Sequence, residues 1–108
     1  MIDCNPAWRP STPGEILREL YLSPHGISVA SFARAIDVSG KHMNRIVNGH
    51  VAINADMAVK IASALGTTAQ YWLNLQDAVS LYDAWEGLRK EERQPRRLPA
   101  FAELEAAD

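Results

Sequence analysis

Cysteine, histidine and long apolar runs are all scarce in this 108-residue chain, and each scarcity removes a class of function. The one cysteine, Cys4, rules out an internal disulfide framework and makes a zinc ribbon or an iron–sulfur site implausible. The three histidines, His25, His42 and His50, lack metal-ligand spacing with it, and no nucleophile stands paired with a base. The expectation is therefore no catalytic centre, no metal and no cofactor. No apolar run approaches the ~20 residues of a membrane span. The opening MIDCNPAWRPSTPGE has no apolar core of the signal-peptide kind, so a cytoplasmic protein is expected. Strand signals are nearly absent too: Val51-Ala52-Ile53 is the one short β-prone run.

What is present reads as one folded domain. Hydrophobic residues at 47% and charged residues at 22% are the balance of a soluble globule, and the length allows a single core. Eleven Lys and Arg against thirteen Asp and Glu give a net charge of −2, which excludes a generally polybasic protein. The charge is uneven, however: residues 1–66 sum to +1 and residues 67–108 to −3. Between Arg34 and His50 stand three Lys/Arg, two histidines and one acid. A small basic surface on an acidic whole suits a module that grips an anion with one face, although charge alone does not separate this from ordinary scatter.

Helix punctuation divides the chain into five segments. Thr12-Pro13-Gly14-Glu15 opens the first with a cap, a proline at the first helical position and the glutamate of a capping box. Ile16, Leu17, Leu20 and Tyr21 should form its apolar face, and Ser23-Pro24-His25-Gly26 its end. Ser28 caps a second helix with Val29, Phe32, Ala33 and Ile36 inward, and Ser39 a third with Met43, Ile46 and Val47 inward, stopped at Asn48-Gly49. Asn54 caps a fourth, lined by Ala58, Ile61, Ala62 and Leu65 and stopped by Gly66. Thr68 caps a longer fifth helix running to about Arg93, with Tyr71, Trp72, Leu75, Ala78, Val79, Tyr82 and Trp85 as its apolar set. The fold expected is all-α: an extended arm over 1–11, a five-helix domain over 12–93, and a tail over 94–108.

Segment 28–49, SVASFARAIDVSGKHMNRIVNG, carries the functional signal. Two short helices meet at a turn of about three residues. Ala33 is small where the helices cross, and Val38 can plug the gap between them. The outward residues of the second helix are Gly40, Lys41, His42, Asn44, Arg45 and Asn48, all small, polar or basic. Such residues can enter a major groove, donate to phosphates and read base edges.

These residues resemble the lambda-repressor-like (XRE) helix-turn-helix family, whose pattern L-A-x-x-L-G-V-S-x-x-x-I-x-x-I-x-x-G stands here as Phe32-Ala33-Arg34-Ala35-Ile36-Asp37-Val38-Ser39, Met43, Ile46 and Gly49. Within that family the chain is similar to HigA-type antitoxins through Pro13-Gly14-Glu15-Ile16-Leu17, Ile53-Asn54-Ala55-Asp56-Met57-Ala58, Leu65-Gly66-Thr67-Thr68 and Tyr71-Trp72-Leu73-Asn74-Leu75-Gln76. The likeness covers about residues 12–82. It implies a five-helix lambda-repressor-like domain that binds double-stranded operator DNA. Lys41, Arg45 and, as a further candidate, His42 would reach base edges, while Ser28, Ser39, Asn44 and Asn48 would hold phosphates and register. Three positions depart from the pattern: Asp37 replaces the usual turn glycine, Val29 the frequent phosphate-binding glutamine, and Gly40 a side chain that would read a base.

The fifth helix has more apolar surface than one small core needs, so Tyr71, Trp72, Leu75, Val79 and Tyr82 are candidates for a homodimer face, with core packing the alternative for Trp72. The HigA likeness further implies a HigB-like RNA-cleaving toxin as partner and repression of the chain's own operon. The arm with Trp8 and the tail with Phe101 and Leu104 are candidate toxin contacts, against plain terminal disorder. Other readings stay open: a stand-alone repressor without a toxin, or a helical module that binds only protein.

Overall fold

The computed structural model describes residues 7–91 and 94–101. Cys4, Arg93 and Leu104 lie outside them. The described residues are helical and contain no strand: α1 (Pro13–Ile16), which runs on into a π-helical segment (Leu17–Leu22) and a 3-10 turn (Ser23–His25), α2 (Val29–Ala35), α3 (Gly40–Val47), α4 (Ala55–Leu65) and α5 (Ala69–Arg89). A last 3-10 turn spans Pro99–Phe101. No helix among these residues is long and apolar enough to cross a membrane.

All five caps act as their chemistry dictates. Thr12, Ser28, Ser39, Asn54 and Thr68 each accept a hydrogen bond from the backbone N–H three residues on, at 2.9 to 3.2 Å. Each satisfies one of the donors that a helix start leaves without an intrahelical partner. The core gathers Leu17, Leu22, Phe32, Ala33, Met43, Ile46, Ile61 and Trp72 around the α2–α3 pair. Met57 also faces inward, an addition to the inner face of α4 expected from the sequence.

The first helix departs from its expected face. Leu20 is 58% exposed, whereas Leu22 is buried. The cause is the π winding. Its i→i+5 bonds, one of them from the Ser23 N–H to the Arg18 carbonyl, place residues five apart on the same side, so Leu17 and Leu22 point inward together. A second local fact fixes how α1 meets α3. A Cβ on Gly14 would lie 1.8 Å from the Ile46 carbonyl oxygen and 2.5 Å from its carbon. Only glycine permits that backbone approach. Gly14→Ala must push α1 off the end of α3, and overpacking of this kind costs about 1–3 kcal/mol or more. A lowered thermal midpoint is expected; an unchanged one would mean the two backbones are not in this contact.

The N-terminal segment is strapped to α5. Arg9 donates through Nε and Nη2 to the two carboxylate oxygens of Asp83, each at 2.9 Å. That guanidinium holds the Asp83 carboxyl below the usual carboxylate range. Both side chains are about half exposed, so the pair positions the arm more than it stabilises the fold. Nearer the core, the Ile53 N–H donates to Gln76 Oε1 at 3.0 Å, which fastens the loop after α3 to α5. The β-prone run at 51–53 is thus a loop held by a side chain.

Candidate nucleic-acid interface

The helix-turn-helix is built from α2, the turn 36–39 and α3. The α2 end is tied down by the Ile36 N–H donating to Phe32 O and the Val38 N–H to Ala33 O. Asp37 takes the left-handed conformation there, with φ of 57°. A glycine is usual at such a position, and Asp tolerates it at a modest penalty. Ala33 is fully buried at the helix crossing, and Val38 packs against the core from the turn.

This frame decides what α3 shows to solvent. Met43, Ile46 and Val47 are buried, while Lys41, His42, Asn44, Arg45 and Asn48 are exposed. At about 100° per residue, Lys41, Asn44, Arg45 and Asn48 fall within one stripe of roughly 100° opposite Met43 and Ile46. His42 lies beside that stripe. α3 contains no acid, and no salt bridge among the described residues engages Lys41 or Arg45. Two cations therefore project from one exposed helix face, free to meet an anion. Gly40 adds no side chain there, and Arg34, outside α3, is exposed on α2.

Ser28 and Ser39 both serve as caps through Oγ, which leaves their hydroxyl hydrogens able to donate outward. Val29 is half-buried and packs on the core, so the position often held by a phosphate-binding glutamine has a packing role here. Against the end of α3 stands a residue that the sequence did not single out, from the π-helical segment: Arg18 Nη1 donates to Asn48 Oδ1 at 3.4 Å. The signal for it is only three-dimensional, because thirty residues separate the pair.

The expected dimer residues divide in two. Trp72 is fully buried and Val79 is 3% exposed, so the protein's own interior takes both, and they leave the candidate face. Trp72 Nε1 donates to Thr67 Oγ1 at 2.7 Å, and its ring meets Tyr21 at 5.4 Å between centroids. Tyr71 stands edge-on to Trp72 at 5.1 Å, and desolvation together with its hydrogen bond to Tyr21 raises its phenol above the usual tyrosine value. Tyr71, Leu75 and Tyr82 keep partly solvent-accessible positions. With Ala78 and Trp85 they follow one another in alternating four- and three-residue steps, the spacing of a helix–helix seam. Leu81, 59% exposed, lies outside that seam. Trp8 and Phe101 are both exposed, at 78% and 49%.

A helix-turn-helix family model matches residues 17–72. The chain is similar to antitoxin HigA-1 of Vibrio cholerae, 37% identical over 97 residues that cover 90% of each chain. Among solved structures it is similar to Pseudomonas aeruginosa antitoxin HigA with the higBA promoter, at 40% identity and a TM-score of 0.73, covering 82% of this chain and all of that one. It is also similar to antitoxin GraA in complex with its operator, at 35% identity and a TM-score of 0.71, covering 89% of this chain and all of that one. With the α2–α3 frame, the exposed cationic stripe and likeness over nearly the full length, this chain belongs to the helix-turn-helix family, in its HigA antitoxin branch.

Proposed function

We propose that this chain is a cytoplasmic DNA-binding antitoxin that represses its own operon as a dimer and neutralises a HigB-like toxin. It works by binding, with no catalytic step of its own. The observation that carries the reading is the exposed stripe on α3, with Lys41 and Arg45 unpaired by any acid among the described residues. Arg and Lys suit the O6 and N7 acceptors of guanine, so these two residues read base edges, with His42 beside them. Ser28, Ser39, Asn44 and Asn48 hold phosphates and register. Occupying the promoter blocks transcription sterically, and toxin binding changes that occupancy through linked equilibria. The structures of HigA with the higBA promoter and of GraA with its operator support DNA as the ligand. The net −3 of residues 67–108 complements a basic, RNA-binding toxin.

A single helix-turn-helix makes few contacts, and two-fold dimers that read half-sites about 34–36 Å apart remedy this. The seam of Tyr71, Leu75, Ala78, Tyr82 and Trp85 is the dimer face. Ala78 is exposed in the monomer, so Ala78→Asp places a charge in the seam without disturbing the core. The variant is expected to sediment as a folded monomer and to bind an operator much more weakly; an unchanged dimer would remove this face from consideration.

Co-expression with the neighbouring small open reading frame and with a reporter driven by the operon's promoter tests the whole reading. Growth rescue, co-purification and repression are expected together. Repression without a toxic neighbour would leave a stand-alone repressor, and rescue without repression a protein-binding module.

A further inference from the structure

We propose that Arg18, oriented by Asn48, is a DNA-phosphate-binding residue at the far end of the recognition helix; this rests on α3 entering the major groove. Asn48 lies near the middle of the exposed stripe that contains Lys41 and Arg45. It stands seven residues beyond Lys41, about 10 Å along the helix axis. The major groove is about 12 Å wide, so a helix whose first turns meet base edges brings its last turn towards a phosphate wall. That end of α3 is electrostatically wrong for a phosphate by itself, because the C-terminal carbonyls carry partial negative charge. The backbone N–H groups there are also spent: Asn48 donates to Asn44 O, Gly49 to Ile46 O and His50 to Arg45 O.

Arg18 supplies what is missing. It comes from the π-helical segment after α1, and its Nη1 reaches Asn48 Oδ1 at 3.4 Å. Its side chain is 40% exposed, so the guanidinium keeps donors towards solvent. Among the described residues its one acidic neighbour at salt-bridge range is Glu19, at the loose distance of 3.9 Å and 65% exposed. Such a pair is worth little and yields readily to a phosphate. The amide of Asn48 fixes where the fork points, and its own Nδ2 remains able to donate to the same phosphate. The Gly14 contact with Ile46 holds the base of this arrangement by locking α1 to the end of α3.

A phosphate contact has a signature that a packing role lacks: it releases a counterion. Affinity for the operon's promoter duplex and for a mixed-sequence duplex, measured by fluorescence anisotropy between about 50 and 200 mM salt, reads it directly. Arg18→Gln should weaken binding to both duplexes by a similar factor, and the slope of log K against log salt should become shallower by about 0.9 for each protomer bound. Arg18→Lys should keep the wild-type slope, since the charge remains. Arg18→Met, which retains the aliphatic stem, replaces the Gln variant if that one does not fold. An unchanged slope in the folded, charge-free variant overturns the proposal, even if affinity drops. Failure of the wild-type protein to bind either duplex would instead refute the DNA-binding reading beneath it.

Discussion

Lys41→Ala combined with Arg45→Ala is expected to abolish operator recognition and leave the fold intact. Each bidentate contact to a base contributes about 1–3 kcal/mol of discrimination. Losing two therefore removes roughly 2–6 kcal/mol, or about thirtyfold to twenty-thousandfold in affinity per protomer. The fold has little stake in either residue. Both are exposed, and neither forms a salt bridge with any described residue. Alanine is also the best helix former, so α3 tolerates the exchange. An electrophoretic shift on the promoter duplex beside a thermal melt separates the two effects. Wild-type affinity in the double variant would move recognition off α3; a collapsed melting curve would mean these side chains hold the domain together.

Trp72→Ala is expected to have the largest effect on stability. The side chain is fully buried, and its ring touches Tyr21 from the first helix and Tyr71 from its own. Its indole N–H also closes the start of α5 by donating to Thr67 Oγ1. Truncating a buried tryptophan costs about 3–5 kcal/mol, against a total of about 5–15 kcal/mol for a domain. Each kcal/mol lowers the midpoint of a domain this size by roughly 4–8 °C. Trp72→Phe keeps most of the packing but loses the one hydrogen bond and part of the buried ring, so about 1–3 kcal/mol is expected from it. Thermal unfolding followed by circular dichroism should rank wild type above Phe and Phe well above Ala. An Ala variant melting with the wild type would show that α5 is not anchored through this ring.

The features legible in the sequence are those decided within one turn of helix. Caps at Thr12, Ser28, Ser39, Asn54 and Thr68 depend on a side-chain oxygen and an N–H three residues away, and all five form. The exposed stripe of α3 follows from the same local periodicity. Features set by contacts between helices were not legible. Nothing local marks Gly14 as the point where two backbones touch. The exchange of Leu20 for Leu22 follows from π winding, which hydrophobic spacing at 3.6 residues cannot register. On α5, seven apolar residues fit two adjacent stripes, and only the packed core assigns Trp72 and Val79 to the inner one. Arg18 and Asn48 meet solely because α1 is locked against the end of α3.

The most direct test of the account is a titration of the operon's promoter duplex against an unrelated duplex of equal length, at several salt concentrations, with wild-type protein. Recognition through α3 predicts markedly tighter binding to the promoter, a steep loss of affinity as salt rises, and equal, weak binding to both duplexes once Lys41 and Arg45 are alanine. Wild-type protein that treats the two duplexes alike, or that ignores salt, would contradict the account and leave the helix-turn-helix as a surface for protein alone.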